Sequence, residues 1–220
     1  LFVLLYFAIV RGNQYLSSYV LQKVQLEKIT NDQLQTELKF LKAQYHPHFL
    51  FNALNTVYFQ MDENVNEAKI TVEKFSELLR YQLYDQQQTV PVSQEIHYLK
   101  NFIDIQKVRT SERLQLNTSF DQLLNNQQIY PLLFLPLVEN AFKYVGGNYK
   151  IEINAKALEK MIELTVTNSL PQETLPEKQK GIGMESLKRR LELLYSGKHT
   201  LRINKTDNDF SVCLRLIIGN

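Results

Sequence analysis

Leu34, Leu38, Leu41, Tyr45 and His48 recur at alternating spacings of four and three, which suits a helix with a packed seam such as a short coiled coil. Residues 14–44 around this seam are polar, Gln-rich and free of Gly and Pro. The pattern then predicts a helix over roughly 46–61 and another over 65–84, where Ala68, Val72, Phe75, Leu79 and Leu83 mark one face. Met61–Asn64 is a short polar join, so the two helices form an antiparallel hairpin. One hairpin cannot bury both faces, whereas two hairpins from two chains make a four-helix bundle, which predicts a homodimer. Gln86–Val92 looks like a linker, and Ser93 is placed to cap a helix running through about Thr110.

From Leu114 the period changes. Leu114–Phe120 alternates like a strand, Tyr130–Val145 reads as a helix whose start holds two prolines, and Lys150–Ala155 and Met161–Thr167 read as strands joined by Leu158-Glu159-Lys160. Met184–Tyr195 is helical, followed by strands over Leu201–Lys205 and Phe210–Ile217. Helices interleaved with hairpin-connected strands predict an α+β chain, with helices on one face of a mixed sheet.

Composition narrows the function classes. With 220 residues, 44% hydrophobic and 22% charged, the chain is globular and long enough for one domain plus a helical extension. The net charge is +2 and no dense Lys/Arg run occurs, so direct nucleic-acid binding is not expected. A single cysteine, Cys213, excludes an internal disulfide and Cys-based zinc motifs. Residues 1–10 carry no polar group except the Tyr6 hydroxyl. Ten residues of helix span only about 15 Å of a roughly 30 Å hydrocarbon core. The expectation is the C-terminal half of a truncated membrane helix over 1–12, the alternative being a cut core helix or a signal remnant. Arg11, Lys23 and Lys28 follow it, which would put the chain after about residue 12 in the cytoplasm.

Two segments offer chemistry. In Ala43–Asn52, Pro47 removes a helical hydrogen bond and is expected to kink the helix, exposing His48. A histidine near its reference pKa of about 6.5 is mostly neutral at cytoplasmic pH and keeps a nucleophilic nitrogen. Asn52 lies one turn later and can orient the ring; His46 projects roughly opposite. A lone histidine is more often a packing residue, and His97 and His199 are read that way. In 135–145, Glu139, Lys143, Pro136, Asn140 and Tyr144 fall within an arc of about 140°, opposite Leu137, Ala141, Phe134, Val145, Val138 and Phe142. A Glu and a Lys four residues apart usually mark a solvated face, but the amide of Asn140 beside a carboxylate is a suitable Mg²⁺ ligand set when phosphates and waters share the ion. Gly181-Ile182-Gly183, before a helix from about Met184, lets backbone approach phosphate. Neither a P-loop nor a complete Gly-x-Gly-x-x-Gly is present.

Taken together these residues resemble the sensor histidine kinases of the LytS/YehU type, bacterial two-component membrane kinases. Ala43-Gln44-x-x-Pro47-His48-Phe49-Leu50-Phe51-Asn52-x-Leu54-Asn55 is similar to their phosphoacceptor box. Leu137-Val138-Glu139-Asn140-Ala141-x-Lys143 is similar to their ATP-binding N box, and Gly181-Ile182-Gly183-Met184 with Arg190–Tyr195 to their second glycine box and its helix. The resemblance covers roughly 38–218. It implies a connecting helix over 13–40, a dimerisation and phosphotransfer hairpin over 41–92, and a GHKL (Bergerat-type) α/β sandwich ATPase domain over 93–220. It implies ATP and Mg²⁺ as cofactors and His48 as phosphoacceptor. Asn140 would bind Mg²⁺ with Glu139 assisting, and Lys143 would contact phosphate. Tyr144, Asn168, Gly181, Ile182, Gly183 and Met184 would complete the ATP site under a lid of about Leu170–Lys180. The phosphoryl group would pass to a cognate response regulator, a LytTR-type one being one expectation, at the bacterial inner membrane.

Four positions depart from the family pattern. His46 stands for a usual Asn, Tyr144 for an N-box His, Ser186 for a frequent Asn, and Asn168 for the adenine-reading Asp of a box whose glycines are absent. An Asn accepts the adenine amino proton without charge assistance, so weakened rather than abolished nucleotide binding is expected. The alternatives are a pseudokinase scaffold of the same fold and a GHKL ATPase that does not phosphorylate itself.

Overall fold

A computed structural model describes residues 11, 12, 14–28, 47–84, 89–110, 113–171 and 182–218, with 47–50, 83, 84 and 182 described by their backbone alone. The apolar stretch 1–10, the Leu34/Leu38/Leu41 seam and the Gln86–Gln88 linker lie outside the described residues. The chain divides into two compact units, Leu1–Tyr45 and His46–Asn220. In the first, residues 14–28 are helical and carry Tyr15, Leu16, Tyr19 and Val20 exposed. Among the described residues no helix is long and apolar enough to cross a membrane.

The second unit opens on a hairpin of α1 (Pro47–Glu63) and α2 (Val65–Tyr84), joined by Asn64 alone rather than by Met61–Asn64. Asn64 makes so short a join workable. Its Oδ1 accepts from the backbone N–H of Asn66 at 3.1 Å and of Glu67 at 3.3 Å, capping α2. α2 buries Ala68, Thr71, Phe75 and Leu78. Ala68 and Phe75 lie on the predicted face, but Val72 of that prediction is exposed and Leu79 is half-buried. The stripe rotates because α2 packs against a third helix as well as α1.

After β1 (Val90–Pro91) comes α3 (Val92–Arg109). Ser93 is not its cap: it lies inside the helix, the cap position is Pro91, and no side chain bonds there. β2 (Gln115–Phe120) and β3 (Gln128–Ile129) follow, and β3 pairs antiparallel with β1. That small pairing brings loop carbonyls to the start of α3. The N–H of Val92 and of Ser93 donate to Gln127 O and Asn125 O at 2.8 and 3.0 Å, so orphan donors of the first turn are met without a capping side chain. α3 packs on α2 along one side and on the next helix along another, which is why even Glu95, Tyr98 and Asn101 are buried.

That next helix is α4 (Leu135–Tyr144), shorter than the predicted Tyr130–Val145. Tyr130 precedes Pro131, a position biased away from helix, and Leu132 has φ +58°, so 130–134 forms an irregular lead-in. β4 (Lys150–Leu158) and β5 (Met161–Ser169) form the central hairpin, α5 (Ile182–Leu194) crosses, and β6 (His199–Lys205) and β7 (Asp209–Ile217) close the chain. The five-stranded sheet runs β2-β4-β5-β7-β6; β2 is parallel to β4 and every other pair is antiparallel. Ile153, Val166 and Val212 are in register and head a buried row with Ile151, Leu164 and Leu214. This face carries the core with the helices; the other presents the alternating polar residues, including the Glu163–Arg215 pair at 2.6 Å. The α+β arrangement is the one the periodicity predicts.

Candidate functional site

α4 is amphipathic as the arc predicts. Leu135, Leu137, Val138 and Ala141 are buried, Glu139, Asn140 and Tyr144 are half-buried, and Lys143 is exposed. Lys143 Nζ lies 5.2 Å from the centroid of the Tyr144 ring, a cation–π contact that holds the ammonium beside the helix. Pro136 departs from the predicted polar arc and is buried. It sits in the first turn, where its missing N–H costs no helical bond.

α4 packs on β5 and on α5, and the end of β5 brings a polar group under its edge. Along β5, Ile162, Leu164, Val166 and Asn168 share the buried face. Asn168 is 1% exposed and its Nδ2 donates to Ser169 O at 3.0 Å. A carbonyl can only accept, so the amide nitrogen is the end spent on the backbone. Ser169 in turn fastens the far end of α4: its Oγ donates to Gly146 O at 2.6 Å and accepts from Lys150 N–H at 2.9 Å, while Gly146 N–H donates to Ser169 O at 3.0 Å.

The approach requires glycine on the α4 side. A Cβ on Gly146 would stand 2.8 Å from both Cβ and N of Pro171, and one on Gly147, whose φ is +56°, would stand 2.5 Å from Leu170 O. Sequence reasoning passed over this Gly-Gly pair, although adjacent glycines after a helix are a signal for close backbone contact. Gly146→Ala is expected to destabilise the fold by about 1–3 kcal/mol, the usual cost of overpacking. It should also loosen whatever the α4–Asn168 edge binds. Urea unfolding checks the first effect.

Ile182 and Gly183 lie in the first turn of α5, so the helix begins before the predicted Met184. Nothing lies within 4 Å of a Cβ built on Gly183, so packing among the described residues does not demand glycine there. First-turn N–H groups are orphans in any helix. Met184 is half-buried against the core, and Ser186 is buried. Gly181 and the expected lid over 172–180 lie outside the described residues. Pro47 and His48 are the first residues of α1; the His48 side chain, His46 and the expected kink lie outside the description, while Asn52 is half-buried on α1. His97 is exposed beside Glu77 at 3.1 Å and His199 meets Tyr195 O at 2.7 Å, in keeping with surface and packing roles.

Two buried charges that the sequence reading missed hold the lead-in to α4. Glu95 Oε2 accepts from the Tyr81 hydroxyl and from Leu132 N–H, both at 2.8 Å, and Oε1 accepts from Phe134 N–H at 3.2 Å. Arg190 donates to Leu132 O at 2.9 Å and to Pro131 O at 2.7 Å. Burial pushes the Glu95 carboxyl above the usual range, against the pull of these donors and of the Arg190 charge. The Tyr81 hydroxyl and the Leu132 and Phe134 N–H groups all donate to its oxygens, the pattern that suits the ionised form. Burial also pushes the Tyr98 hydroxyl well above its ordinary value, with the Glu95 and Glu139 charges adding. The signal was available: Glu95 interrupts the stripe Val92, Ile96, Leu99, Phe102, Ile103, and Arg190 interrupts Leu187, Leu191, Leu194. A charge on an apolar helical stripe is buried with a partner or the stripe is wrong.

Against known proteins, the profile of the histidine kinase family matches residues 36–114. The chain is 30% identical over 189 residues to the sensor histidine kinase BtsS of Escherichia coli, covering 83% of this chain and 33% of that protein. It is 28% identical over 181 residues to the sensor protein LytS of Enterococcus faecalis, covering 74% and 31% respectively. The chain thus spans about a third of the length of these curated relatives. Among solved structures, the Acinetobacter baumannii histidine kinase AdeS aligns with a TM-score of 0.45 at 12% identity, over 86% of this chain and 98% of that one.

Proposed function

Because the chain belongs to the sensor histidine kinases of the LytS type, we propose that its second unit is an autokinase core that moves the γ-phosphoryl group of ATP onto His48. The observation that carries the site is the half-buried Glu139–Asn140 face of α4, fastened through Gly146 and Ser169 beside the buried Asn168. On this reading ATP lies along that edge. Asn168 takes the adenine amino group on Oδ1, since Nδ2 serves Ser169 O. Lys143 and the first-turn N–H groups of α5, with Gly181 and Gly183, meet the phosphates.

An amide oxygen beside a carboxylate fits Mg²⁺ that shares phosphates and waters, so Asn140 would hold the ion, with Glu139 assisting through a water or as a base. When bound, Mg²⁺ neutralises charge on the triphosphate. The lone pair of a neutral His48 nitrogen attacks the γ-phosphorus, an N–P bond forms, the bond from phosphorus to the bridging oxygen of ADP breaks, and the ring proton leaves to solvent. Positioning and charge stabilisation supply most of the acceleration. The phosphoryl group then passes to an aspartate of a separate response regulator. Residues 41–92 serve dimerisation and phosphotransfer, 93–220 bind ATP, and residues 1–12 end an anchor in the inner membrane.

A second reading, a scaffold that binds nucleotide poorly, is favoured by Ser169-Leu170-Pro171 following Asn168 where the family box has glycine. Incubation with γ-labelled ATP and Mg²⁺ decides. Label on the protein that acid removes and base does not supports the kinase. ADP release without label makes the chain an ATPase, and neither makes it a scaffold.

Dimerisation has its own support. Phe51, Leu54, Tyr58 and Met61 of α1 follow one another at spacings of three and four and are 55–69% exposed. Such a seam suits a partner helix, and leaving it in water forfeits roughly 1.5–3 kcal/mol per large side chain. A second copy of the hairpin covers it. Light scattering of the chain is expected to give a dimer, and of Leu54→Glu with Tyr58→Glu a monomer. A parent that is monomeric at tens of micromolar would sink the proposal.

A further inference from the structure

The lead-in to α4 is held from two sides by buried ionic groups that no assumed role in ATP chemistry explains. Leu132 is the centre: its N–H goes to Glu95 of α3 and its C=O to Arg190 of α5. It also has φ +58°, a backbone region that a leucine enters only when its surroundings impose it. Phe134, at the cap position of α4, likewise gives its N–H to Glu95. So α4 begins without a capping side chain of its own, and the carboxylate of another helix stands at its positive end. The third bond of that carboxylate reaches the hairpin: Tyr81 belongs to α2. Its ring also packs on Tyr98 of α3 with centroids 4.8 Å apart.

We infer that Glu95 is a positioning residue for the nucleotide site, which sets the entrance of α4 together with Arg190 and links it through Tyr81 to the hairpin that carries the phosphoacceptor. The inference rests on the ATP-binding reading of α4. Its physical content is simple. Glutamine has the shape of glutamate but only one accepting oxygen. With three donors converging on Glu95, Glu95→Gln turns an amide N–H₂ toward one of them and removes a negative charge that acts on Arg190. The lead-in must give, and the Glu139–Asn140 face moves with it. Tyr81→Phe is gentler, cutting only the hairpin branch while both backbone N–H bonds stay.

The test uses the whole 220-residue chain, with a fluorescent ATP analogue for affinity, saturating autophosphorylation for rate, and amide exchange at Leu132 and Phe134. Glu95→Gln should weaken ATP about tenfold, the scale of one lost bond to a charged acceptor, with cooperative unfolding retained. Exchange at the two amides should quicken in the same variant. A purely structural role would lower the folded fraction and leave the affinity of the folded molecules at the parent value, which overturns the inference. Tyr81→Phe should weaken ATP about threefold, as a single distal bond does, and add nothing in the Glu95→Gln background, because it acts through the same carboxylate. Additive effects overturn the link to the hairpin. If Glu95→Gln does not fold, Tyr81→Phe decides alone, and unchanged affinity overturns the inference. A parent chain without ATP affinity overturns the kinase reading itself. A parent that binds, with Glu95→Gln binding equally and both amides exchanging at parent rates, overturns this inference alone.

Discussion

His48→Gln is expected to abolish the acid-labile phosphoryl label, while His46→Asn keeps it near the parent level. Phosphoryl transfer to nitrogen needs a lone pair that is not delocalised. A neutral imidazole offers one, whereas the amide nitrogen of glutamine spends its lone pair in resonance with the carbonyl. Asparagine at 46 is the residue the family usually carries, so that change restores a familiar box. The two histidines are separated by Pro47 alone, and α1 is described from Pro47 onward. His48 thus occupies the first turn of the helix, four residues before Asn52, at the spacing that lets side chains meet. ATP affinity should be unchanged in both variants, because the proposed nucleotide edge is built from α4, β5 and α5. Phosphate incorporation by His48→Gln at a normal rate would overturn the assignment, and equal loss in both variants would mean the box acts through its fold rather than through one nucleophile.

The sheet was legible because strict alternation leaves one answer. Ile151, Ile153 and Ala155 on β4, and Ile162, Leu164 and Val166 on β5, can only face one side, and a one-residue slip would put each row in water. The polar arc of α4 was legible for the same reason at the helical period. What failed was local chemistry supplied from elsewhere. Ser93 has the right type for a cap, but carbonyls of 125–127 already serve those N–H groups, and two-residue strands such as β1 and β3 carry no periodic signal. Tyr130–Phe134 is apolar like the helix it leads into, yet Pro131 biases Tyr130 away from helix and Glu95 and Arg190 hold the segment in another shape. The face of α2 departs from the expected stripe at Val72 because a helix with neighbours on two sides does not bury the single stripe that an isolated amphipathic helix shows. Glu95 and Arg190 carry charges of the kind that usually face water, yet each interrupts an apolar helical stripe, which is the sign of a buried, partnered charge.

Asn140→Asp is the second large effect, and it separates chemistry from folding. Asn140 is half-buried on α4, across the helix from the buried Val138, which anchors it in the core. The substitution keeps the size and leaves that packing alone, so stability should stay within about 0.5 kcal/mol, as at most surface positions. The chemistry changes in two ways. The amide loses its N–H₂ donor, and a second carboxylate joins that of Glu139, altering how a cation and the triphosphate share the edge. A misplaced phosphoryl group loses both alignment and charge stabilisation, and removal of one such group typically lowers turnover by about 10²–10³. The expected result is therefore a fall of about 10² or more in saturating autophosphorylation, with the unfolding midpoint near the parent's. Calorimetry should show a changed dependence of ATP binding on Mg²⁺. If Mg²⁺-dependent affinity and activity are both unchanged, Asn140 does not hold the metal and the α4 face is not the phosphate edge. If activity falls only in step with stability, the residue acts by packing alone, which its half-exposed position on the polar arc makes hard to sustain.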